Sequence, residues 1–248
     1  MLLNSYIFPS KLKCAKVIPL FKGNDPFLLT NFRPISLLSP FAKLLEKLMA
    51  SRIRNFLSKF NILYNYQFGF RKLYSTKFAL LDVITYIENE SYNNKQIMGI
   101  FLDYKKAFDT VALDILISKL DFYGIRGLVL DWFKSYLYNR SQFTFVNNCS
   151  SSTLINNYGV PQGSVLGPLL FLLYINDIAN SSSLAKFKLF ADDTNIFIVA
   201  NTVQELFQIA NTVLKDVFQW TIANKLSINF DKTNNMLFKL STKKQYTN

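Results

Sequence analysis

The chain has 248 residues, of which 50% are hydrophobic, 8 are glycine and 7 are proline, so it has material for a core and lacks the composition of a disordered protein. The absence of histidine and the presence of only two cysteines exclude His-dependent triads, histidine-ligated zinc and a disulfide framework. The net charge of +12 favours a polyanionic partner.

The positive charge is concentrated in residues 1–72, which contain 12 Lys and Arg residues against Asp25 and Glu46. This distribution is typical of a lobe that binds a polyanion, although solvated helix faces would produce the same pattern. No apolar stretch approaches the roughly 20 residues of a membrane helix, and the beginning of the sequence lacks a secretory signal. We therefore expect an intracellular protein that is neither secreted nor inserted in a membrane.

The first half of the chain is predicted to be mainly helical, from apolar residues that recur at three-and-four spacing. We expect Ser36 or Ser39 to cap the first helix, with Pro40 in its first turn, and Asp109-Thr110 to cap the third. In chain order, helices are predicted over 36–60 and 75–90, a strand over 97–103, and helices over 109–120 and 128–138.

The second half mixes strands and helices without a regular βαβ rhythm, which favours the α+β class. Alternating residues on either side of 147–152 predict a hairpin, and a loop at 159–164 leads into an apolar helix. In chain order, the predicted elements are strands over 142–146 and 153–158, a helix over 165–178, a hairpin around 192–193, a helix over 202–224 and a strand near 236–238.

Two adjacent carboxylates, Asp192 and Asp193, interrupt an apolar run that resumes directly after them. Charged residues between strand hydrophobics need compensation, and a divalent cation compensates carboxylates well. A second apolar run, over 98–102, ends in Asp103. Two strands that brought these aspartates together would form a two-metal phosphoryl-transfer centre. Exposed aspartates at a hairpin turn are the alternative.

These aspartates belong to a set of short motifs that occur in a fixed order along the chain. The ordered set resembles the reverse transcriptase domain of non-LTR retrotransposons, closest to the jockey-like elements of arthropods, over roughly residues 9 to 240. The motifs are Asn31–Leu37 (NFRPISL), Gln67–Arg71 (QFGFR), Phe101–Asp109 (FLDYKKAFD), Gly159–Pro168 (GVPQGSVLGP), Phe190–Asp193 (FADD), and Leu226–Asn229 (LSIN) with Lys232-Thr233.

The resemblance implies a right-hand polymerase fold with fingers at 1–96, to which the 142–160 hairpin contributes. A palm at 97–240 would contain a ferredoxin-like (RRM-like) antiparallel sheet with helices, and 241–248 would be a truncated end. Members of this family normally carry an upstream endonuclease domain and a downstream thumb. Because neither is evident, we expect a fragment of a larger polyprotein or a decayed copy.

The resemblance also implies an RNA-directed DNA polymerase that adds dNTPs to a DNA primer on an RNA template, and it implies action in the nucleus. Two Mg²⁺ ions, for which Mn²⁺ substitutes, are the implied cofactors. Asp103, Asp192 and Asp193 match the catalytic, metal-binding aspartates. Tyr104 would add its backbone carbonyl as a metal ligand.

Further residues match positions that bind the incoming nucleotide. Phe108 matches an aromatic that excludes a 2′ hydroxyl, although a core phenylalanine is the alternative. Gln162 and Gly163 match a loop beneath the nucleotide, for which a helix-entry turn is the alternative. Arg71 matches a residue that clamps the triphosphate.

The remaining candidates are all basic. Lys232 matches a lysine that assists the leaving pyrophosphate. Arg33 is typical of the family, with a triphosphate, template-backbone or structural role. Lys16, Lys22 and Lys72 are the expected nucleic-acid contacts.

Three other interpretations remain open at this point. A truncated remnant would fold, and would bind RNA through its basic front end, without copying it. An RNA-dependent RNA polymerase or an intron-encoded maturase shares the palm chemistry, but Phe108 disfavours ribonucleotides. A purely structural adaptor would leave the ordered motifs unexplained.

Overall fold

A computed structural model describes residues 6–238 of the chain. The elements in chain order are β1 (Cys14–Phe21), β2 (Phe32–Leu37), α1 (Pro40–Lys59), α2 (Thr76–Tyr92), β3 (Gln96–Leu102), α3 (Leu113–Phe122), α4 (Leu128–Leu137), β4 (Arg140–Val146), β5 (Cys149–Ser150), β6 (Leu154–Asn156), α5 (Gly167–Ile175), β7 (Lys186–Phe190), β8 (Asp193–Ala200), α6 (Val203–Ala223) and β9 (Asn234–Phe238). Short 3₁₀ helices lie at Ser10–Leu12, Leu29–Asn31 and Asn176–Asn180.

The chain forms two compact units, each assembled from two separate stretches. The described part of the first unit covers 6–63 and 106–175, and that of the second covers 64–105 and 176–238. Residues 64–96, which were predicted to belong to the fingers, therefore share a unit with the Asp192-Asp193 hairpin. The assignment of fingers and palm stays a prediction, because the two compact units follow different boundaries.

The first unit contains a mixed sheet and four helices. Strand β1 pairs antiparallel with β2 and parallel with β4, and β4 pairs in turn with β5 and β6. Helix α3 packs against α4 and α5. The core is rich in aromatic rings: Trp132 stacks on Tyr136, and both contact Phe8 edge to face.

The second unit contains an antiparallel sheet in the order β7-β8-β3-β9. Helix α2 packs on β3 and β7, and α6 packs on β3 and β8. Both helices begin with a side-chain cap, because Ser75 Oγ accepts from the Phe78 N–H and Thr202 Oγ1 accepts from the Glu205 N–H. In the described part of the chain, no helix is both long and apolar enough to cross a membrane.

Two predicted helices begin later than expected. Of the two predicted caps of the first helix, Ser39 is in the cap position with Pro40 directly after it, whereas Ser36 and Leu37 belong to β2, so the predicted start at residue 36 is wrong. The third begins at Leu113, with Ala112 rather than Asp109 in the cap position. The Asp109 carboxylate instead accepts a hydrogen bond from Gln162. In both cases a partner distant in sequence holds the residue outside the helix.

A buried carboxylate ties helix α1 to the segment that precedes α5. Glu46 is fully buried, and its two oxygens accept from the Tyr136 hydroxyl at 2.9 Å and from the Val165 N–H at 2.6 Å. Burial raises the pKa of Glu46 above its ordinary value of 4.5, although these hydrogen bonds act in the opposite direction. Glu46 therefore anchors the end of the Pro161–Ser164 loop at an electrostatic cost.

A buried amide holds the turn that carries Asp192. Gln67 is 1% exposed, and its Oε1 accepts from the Gly69 N–H at 2.8 Å and from the Ala191 N–H at 3.0 Å. Ala191 has a φ of +56°, an uncommon left-handed conformation for alanine. The bond from Gln67 stabilises this conformation, so the 64–71 segment helps to shape the turn between β7 and β8.

Replacing Glu46 by alanine should lower the free energy of unfolding by about 3 kcal/mol, because two buried donors lose their acceptor. Chemical denaturation measures this difference. The control Glu46→Gln keeps the side-chain volume and one acceptor oxygen, so it should lose less. Equal stability of Glu46→Ala and the wild type would contradict the anchoring role.

The same carboxyl should make wild-type stability pH-dependent. Because the folded state raises the Glu46 pKa, its stabilising contribution is complete below the ordinary value of 4.5 and is lost as the pH rises through the raised pKa. Glu46→Gln lacks this titrating group. As the pH rises from 4.5 through the raised pKa, the free energy of unfolding of Glu46→Gln should therefore increase relative to that of the wild type. Parallel stability curves would contradict the shift.

Adding a methyl group at Gly69 should destabilise the second unit, because its Cβ would lie 2.2 Å from the Ala191 nitrogen. We expect Gly69→Ala to lose about 1–3 kcal/mol of unfolding free energy in chemical denaturation. The control Gly99→Ala lies in the same unit, and the three atoms nearest to its methyl would be ring atoms of Phe101 and Phe238 at 3.0–3.3 Å. A loss at Gly69 no larger than the loss at Gly99 would contradict this prediction.

Candidate active site

Strand pairing brings two of the predicted aspartates together. In the antiparallel register between β3 and β8, Leu102 lies opposite Thr194. The next position places Asp103, which follows β3, beside Asp193, the first residue of β8. Side chains two positions apart in a strand share a face, so Asp193 and Asn195 point the same way.

These side chains open into a cavity of about 350 Å³ in the second unit. Its residues come from the ends of three strands and from the segment before β9. The lining consists of Phe101, Leu102, Asp103, Phe190, Asp193, Asn195 and Lys232. Two predicted catalytic aspartates and the predicted pyrophosphate lysine therefore line the same cavity.

The third predicted aspartate, Asp192, lies in the two-residue turn between β7 and β8. It is half-buried and is not among the residues that line the cavity. Its charge nevertheless acts on its neighbour. Partial burial raises the pKa of Asp193, and the charges of Asp192 and Asp103 raise it further. Three carboxylates are thus close enough to disfavour ionisation at Asp193.

The carboxylates fit a divalent cation of the magnesium type. Within residues 6–238, no group of three acidic, histidine or cysteine side chains forms a complete metal cage. Mg²⁺ does not require one, because it is usually bound through one or two carboxylates, with waters and substrate phosphates as the other ligands. Asp103 and Asp193 supply such a pair, and Asp192 adds negative charge beside it.

Asp103 is held on three sides by residues for which the sequence predicted no role. Its backbone N–H donates to Thr233 Oγ1 at 3.3 Å, and its carbonyl accepts from the Asn229 N–H at 2.8 Å. The Asn229 amide also donates to Asp103 Oδ2 at 2.8 Å. Asn229 and Thr233 lie in the last motif of the ordered set, but nothing in their spacing identifies Asp103 as their partner.

Lys232 is positioned by the same segment. The Lys232 and Thr233 N–H groups both donate to the Asn229 carbonyl, at 3.2 and 2.9 Å. A tight turn therefore places an ammonium group on the wall of the cavity that contains Asp103 and Asp193. A positive charge here suits an anionic ligand such as a polyphosphate.

The Tyr104 side chain is 4% exposed, and burial raises its pKa to about 12. Its phenol belongs to the core of the second unit, where it stays protonated. A metal contact by Tyr104 would therefore use the backbone carbonyl, and that contact stays a prediction.

Arg71 has a structural role that the sequence did not indicate. Its Nη1 donates to the carbonyls of Tyr64 and Gln67 at 3.0 and 3.1 Å, and its guanidinium lies 4.3 Å from the centre of the Tyr74 ring. These contacts brace the 64–71 segment. Lys72 beside it is exposed. The triphosphate role of Arg71 and the nucleic-acid role of Lys72 stay predictions.

In the first unit, Phe108 is half-buried and stacks on Phe171, with ring centres 4.5 Å apart. This contact is the one expected if Phe108 is a core phenylalanine, but part of the ring stays accessible to solvent. Asp109 accepts from the Gln162 side chain at 2.8 Å, and burial raises the Asp109 pKa despite this bond.

The loop that contains Gln162 is fastened to β2. The Ser36 N–H donates to the Gln162 carbonyl at 2.7 Å. Gly163 has a φ of +118°, and a Cβ there would lie 2.5 Å from the Ser36 carbonyl oxygen. Only glycine fits this position without a shift of the backbone. The loop is therefore rigidly held, and its nucleotide contacts stay a prediction.

The other basic candidates also lie in the first unit. Arg33 is exposed on β2. Lys16 Nζ on β1 lies 3.4 Å from the centre of the Phe145 ring, and the exposed Lys22 donates to the Thr30 carbonyl at 3.5 Å. Their roles toward nucleic acid stay predictions.

Comparison with known proteins identifies the family. The reverse transcriptase (RNA-dependent DNA polymerase) family matches residues 21–247. The chain is 31% identical to a probable RNA-directed DNA polymerase from transposon BS of Drosophila melanogaster, covering 97% of this chain and 27% of the relative. It is 30% identical to the RNA-directed DNA polymerase from mobile element jockey of Drosophila funebris, covering 93% and 26%. The chain thus spans about a quarter of these relatives.

Solved structures agree on the fold. An apo telomerase from Candida tropicalis, truncated from its C-terminal domain, has a TM-score of 0.63 at 13% identity, covering 95% of this chain and 52% of that one. Telomerase from Candida albicans, in complex with a fragment of telomeric RNA, has a TM-score of 0.65 at 14% identity, covering 98% and 45%. The predicted α+β class and its reverse transcriptase fold are confirmed.

The motif order, the paired strands that present Asp103 and Asp193, and the matches to transposon polymerases agree with one another. The chain belongs to the reverse transcriptase (RNA-dependent DNA polymerase) family, and its relatives are the polymerases of jockey-like non-LTR retrotransposons.

Proposed function

We propose that this chain is an RNA-directed DNA polymerase module that adds dNTPs to the 3′ hydroxyl of a DNA primer on an RNA template. The observation that carries the proposal is the cavity lined by Asp103, Asp193 and Lys232. It combines carboxylates suited to Mg²⁺ with a cation suited to phosphate, which nucleotidyl transfer requires.

Each charged group in the cavity has a distinct task in this proposal. Asp103 and Asp193 would hold two divalent cations, with Asp192 contributing charge at the turn. When bound, these cations would supply Lewis-acid stabilisation of the attacking and leaving oxygens. Lys232 binds the anionic polyphosphate and donates a proton or a hydrogen bond to the leaving pyrophosphate. Mn²⁺ has the same preference for oxygen ligands and substitutes for Mg²⁺.

Residues outside the cavity select the nucleotide and bind the triphosphate and the nucleic acid. The partly accessible ring of Phe108, five residues after Asp103, rejects a 2′ hydroxyl by contact. Gln162 and Gly163 form a rigid loop under the nucleotide, and Arg71 binds triphosphate oxygens. Four further basic side chains bind the nucleic-acid backbone: Lys16, Lys22, Arg33 and Lys72.

Replacing Asp103 or Asp192 by asparagine should lower primer extension on an RNA template by about 100-fold or more, since a negative charge at the cation site is lost. The measurement is incorporation of labelled dNTP with Mg²⁺ or Mn²⁺. The matched control is Asp131→Asn, which removes an exposed aspartate that pairs with Lys134 and should extend normally. Extension that survives Asp103→Asn would refute the polymerase assignment. RNA binding without any incorporation by the wild type would favour a folded remnant.

Replacing Phe108 by alanine should raise the ratio of ribonucleotide to deoxyribonucleotide incorporation by about 10-fold or more, because the ring no longer blocks the 2′ hydroxyl. Comparing both nucleotides on the same preparation cancels any loss of folded protein. The control Phe122→Ala removes an exposed ring from α3 and should leave the ratio unchanged. An unaltered ratio in Phe108→Ala would leave this residue with the core role alone.

A further inference from the structure

Asn229 is the residue that joins the two charged walls of the cavity. Its backbone N–H donates to the Asp103 carbonyl, and its own carbonyl accepts from the N–H groups of Lys232 and Thr233. Its side-chain amide donates to Asp103 Oδ2 at 2.8 Å. The donor and acceptor groups of one residue thus fasten both the carboxylate and the segment that carries the lysine.

The direction of the side-chain bond follows from chemistry. An ionised carboxylate oxygen only accepts hydrogen bonds, so the amide nitrogen of Asn229, rather than its oxygen, must face Asp103. The bond restrains rotation of the Asp103 carboxyl group and occupies part of the acceptor capacity of Oδ2. Among residues 6–238, no hydrogen bond is donated to the other oxygen, Oδ1, so this oxygen can bind a cation.

This restraint matters because Mg²⁺ demands near-ideal octahedral geometry, so a carboxylate that rotates freely is a poorer ligand than one held in place. Neighbours that orient a ligating side chain typically account for 10- to 100-fold of metal affinity. The Asn229 amide is partly shielded from water, so solvent competes less with the bond than it would at the surface.

We propose that Asn229 is a positioning residue that orients the Asp103 carboxylate toward a divalent cation. This inference rests on the proposed function for the identity of the cation site. It assigns the Leu226–Asn229 motif a task that neither its sequence nor its position on the chain indicates. It also explains why this segment lies directly against the end of β3.

The test measures the binding of Mn²⁺ to the full chain with no nucleotide or primer present. Electron paramagnetic resonance reports the concentration of free Mn²⁺ at each step of the titration. Asn229→Ala should weaken Mn²⁺ binding by about 10- to 100-fold. The matched control is Asn235→Ala, an exposed asparagine on β9, which should bind Mn²⁺ as the wild type does.

Circular dichroism and thermal unfolding establish that each variant is folded, so a loss of affinity is not a loss of structure. In primer extension, Asn229→Ala should need more Mg²⁺ for half-maximal rate and should recover part of its rate at high Mg²⁺. Unchanged Mn²⁺ affinity in folded Asn229→Ala overturns the proposal, as does a wild type that binds no Mn²⁺. A wild type that binds Mn²⁺ with the expected dependence on Asn229, but extends no primer, counts against the proposed function alone.

Discussion

The hydrogen-bonded pairing of β3 with β8 is the constraint on which the second unit depends. Its register decides which side chain at the end of one strand meets which side chain at the beginning of the other. A slip of one residue would reverse the faces of an entire strand, moving Asp193 away from Asp103 and buried hydrophobics into water. The burial of the apolar residues of both strands disfavours such a slip. The packing of the core therefore also determines where the aspartates lie.

Packing alone does not complete the site, since like charges at the end of a sheet repel one another. Besides the Lys232 ammonium on the cavity wall, three neutral side chains hold the aspartates and their turn in place despite this repulsion. Asn229 and Thr233 hold Asp103, and Gln67 holds the turn before Asp192. The Asn229 amide restrains the Asp103 carboxylate, whereas the Thr233 hydroxyl and the Gln67 amide oxygen accept from backbone N–H groups. None of these neutral groups cancels the negative charge that a cation requires.

Much of this arrangement could be predicted from the sequence because it is encoded locally. The apolar run that ends in Asp103 and the run that Asp192 and Asp193 interrupt identified the strands around the site, and apolar periodicity identified the helices that begin near Ser75 and Thr202. Strands β1 and β2 were not predicted, since each contains a proline, Pro19 and Pro34, which interrupts a strand pattern. These strands form because β1 pairs with both β2 and β4, and the pattern along a single segment of sequence does not contain that information.

The contacts of Asn229, Gln67 and Arg71 could not be predicted for a similar reason. Each joins a loop to a distant or irregular backbone segment, where no periodicity constrains the partner. The motifs containing these residues were recognised, but a motif indicates which residues recur together and leaves open what each one touches. Arg71 is the clearest case, because its guanidinium lies on its own loop.

The bond from Gln67 to Ala191 also has a consequence for how this protein can be divided. A palm excised at residue 97 would contain every predicted metal ligand but would lack the amide that supports the left-handed alanine next to them. Chimaeras between related elements should therefore exchange 64–71 together with the β7–β8 hairpin.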